Sequence, residues 1–374
     1  MTGLYIHIPF CRRRCVYCHF PAGIPWSAQK ESEYLEAIYS EAALYNKHYG
    51  RIPIHTLYYG GGTPSLLSPQ GIASLMHMVE NFFIFEPKEI TLEVNPEDVS
   101  SQAVKMWKQI GINRISLGLQ SVQDDILQLL SRQKTNPTEV YNKIKEAGFH
   151  RISTDFIVGI PGLDEERLIS WIKENLPDHL SLYMLSVEKG SILAGLALRG
   201  SFEIPDDELQ VNQYLSIASH LSSDYEWYEI SNFVRNTSSR AIHNTLYWTY
   251  EPYIGLGIGA SGFLTWEKRR YKNTIHLQTY YQQLKEKIFP RSEEEILDEE
   301  TIKRERIMLS LRLKEGVDLS WIQSWAGEKK VKKLREEMEQ LNYAALLSNN
   351  RLALTPEGWM VANALIRKIW DILR

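Results

Sequence analysis

The constraint that most limits the fold is an alternation. Short apolar runs occur at Leu4–Ile8, Thr56–Tyr59, Ile90–Val94, Arg114–Leu117, Thr154–Val158 and Leu180–Leu185, and amphipathic stretches fill the gaps. Each short run is rich in Ile, Leu, Val or Tyr, the composition of a buried strand. In the first gap Tyr34, Ile38, Ala42 and Tyr45 recur at helical spacing and make one apolar stripe. Asn136-Pro137 is a helix start, with cap and first-turn proline, and Gly148 is its stop. Strand–helix alternation of this kind predicts parallel strands joined by crossover helices. Six units predict an α/β chain built on a partial (β/α)6 barrel, open rather than closed. Functional groups in such sheets gather at the C-terminal strand ends. The distinctive residues fall there: the cysteines after the first strand, Gly60-Gly61-Gly62 after the second, Glu93 and Asn95 ending the third, Gln120 after the fourth, and Gly159-Ile160-Pro161-Gly162 after the fifth.

After about Val187 the pattern changes. From 190 to 295 the chain is aromatic, turn-rich and weakly periodic. From Glu299 it reads as helical again, with LLSNNRLAL as a hairpin turning at Asn349-Asn350 and PEGWMVANALIRKIW as one final helix capped by Thr355-Pro356. Helices, a small hairpin and a closing helix predict a mostly helical, winged-helix-like domain over 299–374. This segment mixes both charge signs, so a docking or lid role is expected at least as much as DNA binding. The net charge of −4 and pI near 6.2 give no basic domain, and no nucleic-acid partner is expected. No apolar run has membrane-spanning length and the start lacks a signal-peptide pattern, so the expected location is cytoplasmic.

All three cysteines, Cys11, Cys15 and Cys18, stand at C-x3-C-x2-C in one loop. Thiolates hold zinc or iron–sulfur clusters. A structural zinc would need a fourth ligand, from His7 or His19. A cubane is usually held by four cysteines, so three leave one iron open to an outside ligand. Arg12, Arg13 and Arg14 lie inside the loop as a solvated face that offsets the thiolates. Gly60, Gly61, Gly62 and Thr63 offer bare backbone for an amino-acid head group, and no phosphate-binding G-x-x-x-x-G-K-[ST] occurs. Glu93 and Gln120 sit where a cationic amine or a ribose hydroxyl could be met, and Asp155 is placed to point into the barrel.

The ordered set YIHIPFCRRRCVYC, YYGGGTPSLL, LEVNPEDV, RISLGLQSVQDDIL, TDFIVGIPG, LSLYMLSVEKG, YEISNF and HNTLYW resembles the oxygen-independent coproporphyrinogen III oxidase family of radical S-adenosylmethionine (radical SAM) proteins. Within it the chain is most similar to the HemW heme-chaperone branch. The oxidases carry a further cysteine where this chain has Phe20, and they have an extension before the first strand, whereas Leu4 comes almost at once here. The resemblance implies a [4Fe-4S] cluster on Cys11, Cys15 and Cys18 whose open iron is chelated by S-adenosylmethionine. It implies that Tyr5, Gly61, Gly62, Thr63, Glu93, Gln120, Arg132 and Asp155 hold that cofactor. It also implies heme binding at HNTLYW, with His243 as axial ligand and Tyr247 and Trp248 as flat apolar area. Residues 1–235 would then be the radical SAM core, 236–298 a connecting region carrying the H-N-x-x-Y-W motif, and 299–374 the C-terminal domain. Two departures stand out: Ser261, Gly262 and Phe263 where relatives continue with glycine, alanine and histidine, and His19 where aspartate is common. The function implied is a heme chaperone delivering heme to hemoproteins such as respiratory enzymes, with no coproporphyrinogen oxidase activity. The alternatives are the oxidase itself and a radical SAM enzyme on another substrate. Expected partners are heme, a recipient hemoprotein and an electron donor for the cluster. A homodimer and a transient membrane contact stay open.

Overall fold

A computed structural model describes all residues, Met1–Arg374. The six expected strands are all present: β1 (Gly3–Ile8), β2 (Pro53–Gly61), β3 (Ile84–Val94), β4 (Arg114–Gln120), β5 (Ile152–Val158) and β6 (His179–Met184). They pair in parallel in chain order, with helices such as Ala28–Tyr49, Pro69–Phe82 and Pro137–Glu146 as crossovers. The caps follow the sequence: Asn136 accepts from the Glu139 N–H at 3.2 Å, and Gly148 takes φ 85°.

The weakly periodic region does more than connect. It supplies β7 (Glu226–Glu229), β8 (Asn232–Val234), β9 (Tyr253–Leu256), β10 (Ser261–Leu264), β11 (Arg269–Asn273) and β12 (Arg291–Ile296). These extend the same sheet on both flanks, giving the order β12-β11-β10-β9-β1-β2-β3-β4-β5-β6-β8-β7. Strand β9 lies parallel to β1, and the outer strands run antiparallel. Segments of three to six residues are too short to show a period, which hid them. The outermost strand, β12, carries Glu293, Glu294 and Glu295, and these charges blunt the free edge. One apolar core runs from Leu4 to Leu284 beneath this sheet.

A second core, Ile307 to Leu373, belongs to the C-terminal region. Helices Glu299–Ser310, Leu319–Ala326 and Glu328–Glu339 pack with a small sheet of β13 (Val317–Asp318), β14 (Ala344–Leu347) and β15 (Arg351–Leu354). The hairpin turns at Asn350, with φ 61°. The final segment is two helices, Pro356–Met360 and Ala362–Leu373, rather than the single one expected. The break at Val361 follows from anchoring on the first turn. Trp359 is buried and its indole N–H donates to Leu311 O at 3.0 Å, while Gly358 packs so close to Tyr343 O that a Cβ would stand 2.0 Å from it. The two cores meet where Trp227 packs on Trp359, ring centroids 4.8 Å apart, and where Arg240 pairs with Glu315 at 2.6 Å.

Candidate cofactor site

The cysteine loop leaves the C-terminal end of β1 and is closed at its base by backbone hydrogen bonds. Cys11 N–H donates to Ile24 O at 3.1 Å, and Gly23 N–H to Pro9 O at 3.1 Å. Inside the loop Cys18 N–H donates to Cys15 O at 3.2 Å. Burial pushes the Cys11 and Cys18 thiols up. The Thr63 hydroxyl approaches Cys11 Sγ at 3.7 Å and Arg132 Nη1 approaches Cys15 Sγ at 3.6 Å. Both donors favour a charged sulfur. Two of the three loop arginines are already engaged: Arg12 pairs with Asp98 at 2.8 Å, and Arg13 reaches Glu97 at 3.6 Å. Arg14 makes no ion pair.

Below the loop lies a cavity of about 400 Å³. Cys11, Cys15, Cys18, Gly61, Gly62, Thr63, Glu93, Gln120, Arg132 and Asp155 all line it. Gly62 runs directly under the loop, where a Cβ would stand 2.9 Å from Cys11 Sγ and 2.7 Å from Phe10 O, so only glycine leaves the thiol room. Glu93 accepts from the Tyr58 hydroxyl at 2.8 Å and from Gly61 N–H at 3.0 Å. Burial, which outweighs those two donors, raises its carboxyl to about 7. Asp155 accepts from Ser116 at 2.6 Å and Ser153 at 2.9 Å, and burial again holds its pKa above the usual range. Gln120 takes φ 64° at the end of β4, a conformation that turns the chain sharply over the cavity rim.

Arg132 lies just past a short helix. The helix Asp124–Leu129 stops, Ser131 adopts φ 56°, and the chain turns Arg132 back over β4. Its Nη2 donates to Gly118 O at 2.7 Å and to Asn95 Oδ1 at 3.0 Å. Tyr5 stands one layer back, stacked on Tyr58 at 6.0 Å and sharing a 3.0 Å hydrogen bond with His7 Nδ1.

His243 is placed differently from an open ligand. It sits on the short helix Ile242–Trp248, beneath the N-terminal half of the barrel, and is 1% exposed. Nδ1 is hydrogen-bonded to Thr56 Oγ1 at 2.8 Å and Nε2 to the Tyr247 hydroxyl at 2.8 Å. Burial lowers its pKa to about 4, so the ring is neutral. Its neighbour Asn244 does reach the cavity floor.

Sequence reasoning left Tyr58, Arg114, Tyr183 and Asn244 out of the site, although all line the cavity. A signal existed for the strand residues. Thr91 and Glu93 on β3, Arg114 and Ser116 on β4, Ser153 and Asp155 on β5, and His179, Ser181 and Tyr183 on β6 are polar at every second position. That period of two is an inward polar face.

Residues 5–174 match the radical SAM superfamily and residues 297–361 the HemN C-terminal domain. The chain is 32% identical to the heme chaperone HemW of Mycobacterium tuberculosis over 98% of this chain and 94% of that protein. It is 31% identical to the heme chaperone HemW of Bacillus subtilis, over 97% of both chains. The chain belongs to the HemW family of radical SAM proteins. Its fold is also that of coproporphyrinogen III oxidase (HemN) from Escherichia coli, with a TM-score of 0.81 at 21% identity, covering 98% of this chain and 89% of that one. No helix is long and apolar enough to cross a membrane. The family implies a [4Fe-4S] cluster with S-adenosylmethionine, and the donor set fits both: three soft thiols in one loop, a glycine that clears space beside Cys11, and a half-buried carboxylate next to bare backbone.

Proposed function

We propose that this protein is a heme chaperone that binds heme, carries a [4Fe-4S] cluster on Cys11, Cys15 and Cys18 with S-adenosylmethionine beside it, and passes heme to a recipient hemoprotein. The observation that carries the reading is similarity over nearly the whole chain to proteins named heme chaperone, in a protein whose thiols, glycines and carboxylates share one cavity. When bound, the cluster and S-adenosylmethionine supply one-electron chemistry.

The chain's own groups have separable tasks. Glu93, near-neutral while it lacks a counter-charge, is the group for the ammonium of S-adenosylmethionine, which would draw it to the ionised form. Gly61 and Gly62 let backbone approach the same head group. Arg132, fixed by Gly118 and Asn95, sets a positive charge beside Cys15. Gln120 and Asp155 present polar groups for the ribose.

Heme needs apolar area, an axial ligand and cations for two carboxylates. The cavity mouth offers these. Phe20, Tyr183 and Met184 are 54%, 44% and 38% exposed there, and Arg14 is free of any ion pair. His19 stacks on Phe20 at 4.8 Å, is exposed, and makes no hydrogen bond through its ring. It is the accessible imidazole. His243 becomes a ligand only after Tyr247 releases Nε2 and the helix moves outward.

The test uses the full chain with its cluster reconstituted anaerobically. Heme is added while the Soret band is followed, and coproporphyrinogen III turnover is assayed in the same preparation. Heme uptake without turnover is expected. Turnover without heme uptake would overturn the chaperone reading in favour of an oxidase.

A further inference from the structure

The floor of the barrel holds a buried cation with no carboxylate in contact with it. Arg114 opens β4, is 2% exposed, and lines the cavity. Its one protein acceptor is Ser239 O, 2.9 Å from Nη1, and no carboxylate stands within ion-pair distance. The guanidinium makes no other hydrogen bond to protein, and Nε and Nη2 are not sealed from the cavity. Across the sheet, in register with Arg114, lies Thr91 on β3. The Thr91 hydroxyl is fully buried, lines the same cavity and has no hydrogen-bond partner. Asn244 closes the floor, and its side-chain amide also makes no hydrogen bond within the protein. A guanidinium, a hydroxyl and an amide thus line one cavity with donors that no protein group takes up. Buried polar groups are nearly always satisfied, and an unpaired buried charge costs several times more than an unpaired hydroxyl.

The acidic groups nearby are occupied. Glu89 pairs with Arg151 at 2.9 Å and accepts the Ile242 and His243 N–H groups. Asp155 is held by Ser116 and Ser153, and Glu93 by Tyr58 and Gly61. Arg114 draws the Asp155 carboxyl down from a distance, but none of these carboxylates contacts the guanidinium, which leaves direct pairing to a ligand. We infer that Arg114, Thr91 and Asn244 form a carboxylate-binding subsite at the base of the barrel. Its ligand is small. The floor lies about 13 Å below Gly118, four residues along β4 at ~3.3 Å each, and the cavity of about 400 Å³ is shared with the cofactor held above. A carboxylate of two to four carbons bound to Arg114 would direct its tail upward, toward the region under the cysteine loop. This subsite lies at the opposite end of the cavity from the heme docking proposed at the mouth, and either can fail without the other.

Sodium propionate is the probe. Calorimetric titration of the cluster-loaded full chain is expected to show saturable binding, with a rise in the thermal midpoint. Arg114→Met, which removes the charge and keeps the volume, should weaken propionate binding by about tenfold or more, the scale of a lost charged hydrogen bond. Arg114→Lys should retain part of it. Without propionate, Arg114→Met trades a charge with no contacting carboxylate for an unpaired Ser239 carbonyl, so its thermal midpoint serves as a folding control and the propionate titration decides. Thr91→Val and Asn244→Ala carry the same test should Arg114→Met not fold. Competition separates two sources of the carboxylate. Heme that displaces propionate, with heme dimethyl ester inactive, identifies a porphyrin side arm; no displacement by either identifies a free small acid. Absence of propionate binding to wild type, or equal binding to wild type and Arg114→Met, overturns the inference. Heme uptake followed in the same samples shows whether the chaperone reading survives that result.

Discussion

Replacing His243 by alanine separates a structural histidine from a heme ligand. The ring is 1% exposed, and it satisfies the hydroxyls of Thr56 and Tyr247, each at 2.8 Å. It also packs against Tyr58 at 5.1 Å. Alanine leaves two hydroxyls without partners, about 1–3 kcal/mol each, and a cavity the size of an imidazole. The sum is on the order of 4 kcal/mol, a large part of a typical stability of ~5–15 kcal/mol. Urea denaturation should therefore show a sharply lowered midpoint. In the fraction that stays folded at low temperature, heme should still give a Soret band, because the accessible imidazole is His19. His19→Ala should do the reverse, weakening heme uptake with little change in the midpoint. The reasoning is refuted if His243→Ala keeps its urea midpoint and loses the Soret band.

Glu93 has a folded pKa raised from 4.5 to about 7, so its contribution to stability is fully present below pH 4.5 and is lost as pH rises through 7. Glu93→Gln should remove on the order of 3 kcal/mol of that decline, measured as the difference between urea midpoints at pH 5 and pH 8; identical pH slopes in the two proteins would contradict it. Gly62→Ala puts a Cβ 2.7 Å from the Phe10 carbonyl and 2.9 Å from Cys11 Sγ, so cluster content by iron and sulfide analysis should fall severely after reconstitution. Arg132→Met removes the cation beside Cys15, so the cluster's reduction potential should become more negative in a redox titration. Trp359→Phe loses the indole hydrogen bond to Leu311 O and should cost about 1–3 kcal/mol by leaving that buried carbonyl unpaired.

The residues themselves determined a good deal. Six short apolar runs alternating with amphipathic helices set the parallel barrel, because parallel neighbours need crossover helices that cover the sheet. Three thiols in one loop set the chemistry of the rim, because thiolate ligation depends on residue type and on a short separation along the chain. The tertiary structure decided matters that depend on distance across the sheet. Strands β7 to β12 were invisible in sequence because their pairing partners, not their periodicity, make them strands. Arg132 reaches Cys15 because one left-handed residue, Ser131, ends a helix early. His243 reads as an open ligand in a six-residue motif, and becomes a buried, doubly hydrogen-bonded ring only when Thr56 on a distant strand meets it. Arg114 shows the same limit from the other side. Its sequence neighbours say nothing of its lacking a contacting carboxylate, since that is a property of everything folded around it. Local chemistry and periodicity are written along the chain, while burial, satisfaction and isolation are sums over neighbours that only folding assembles.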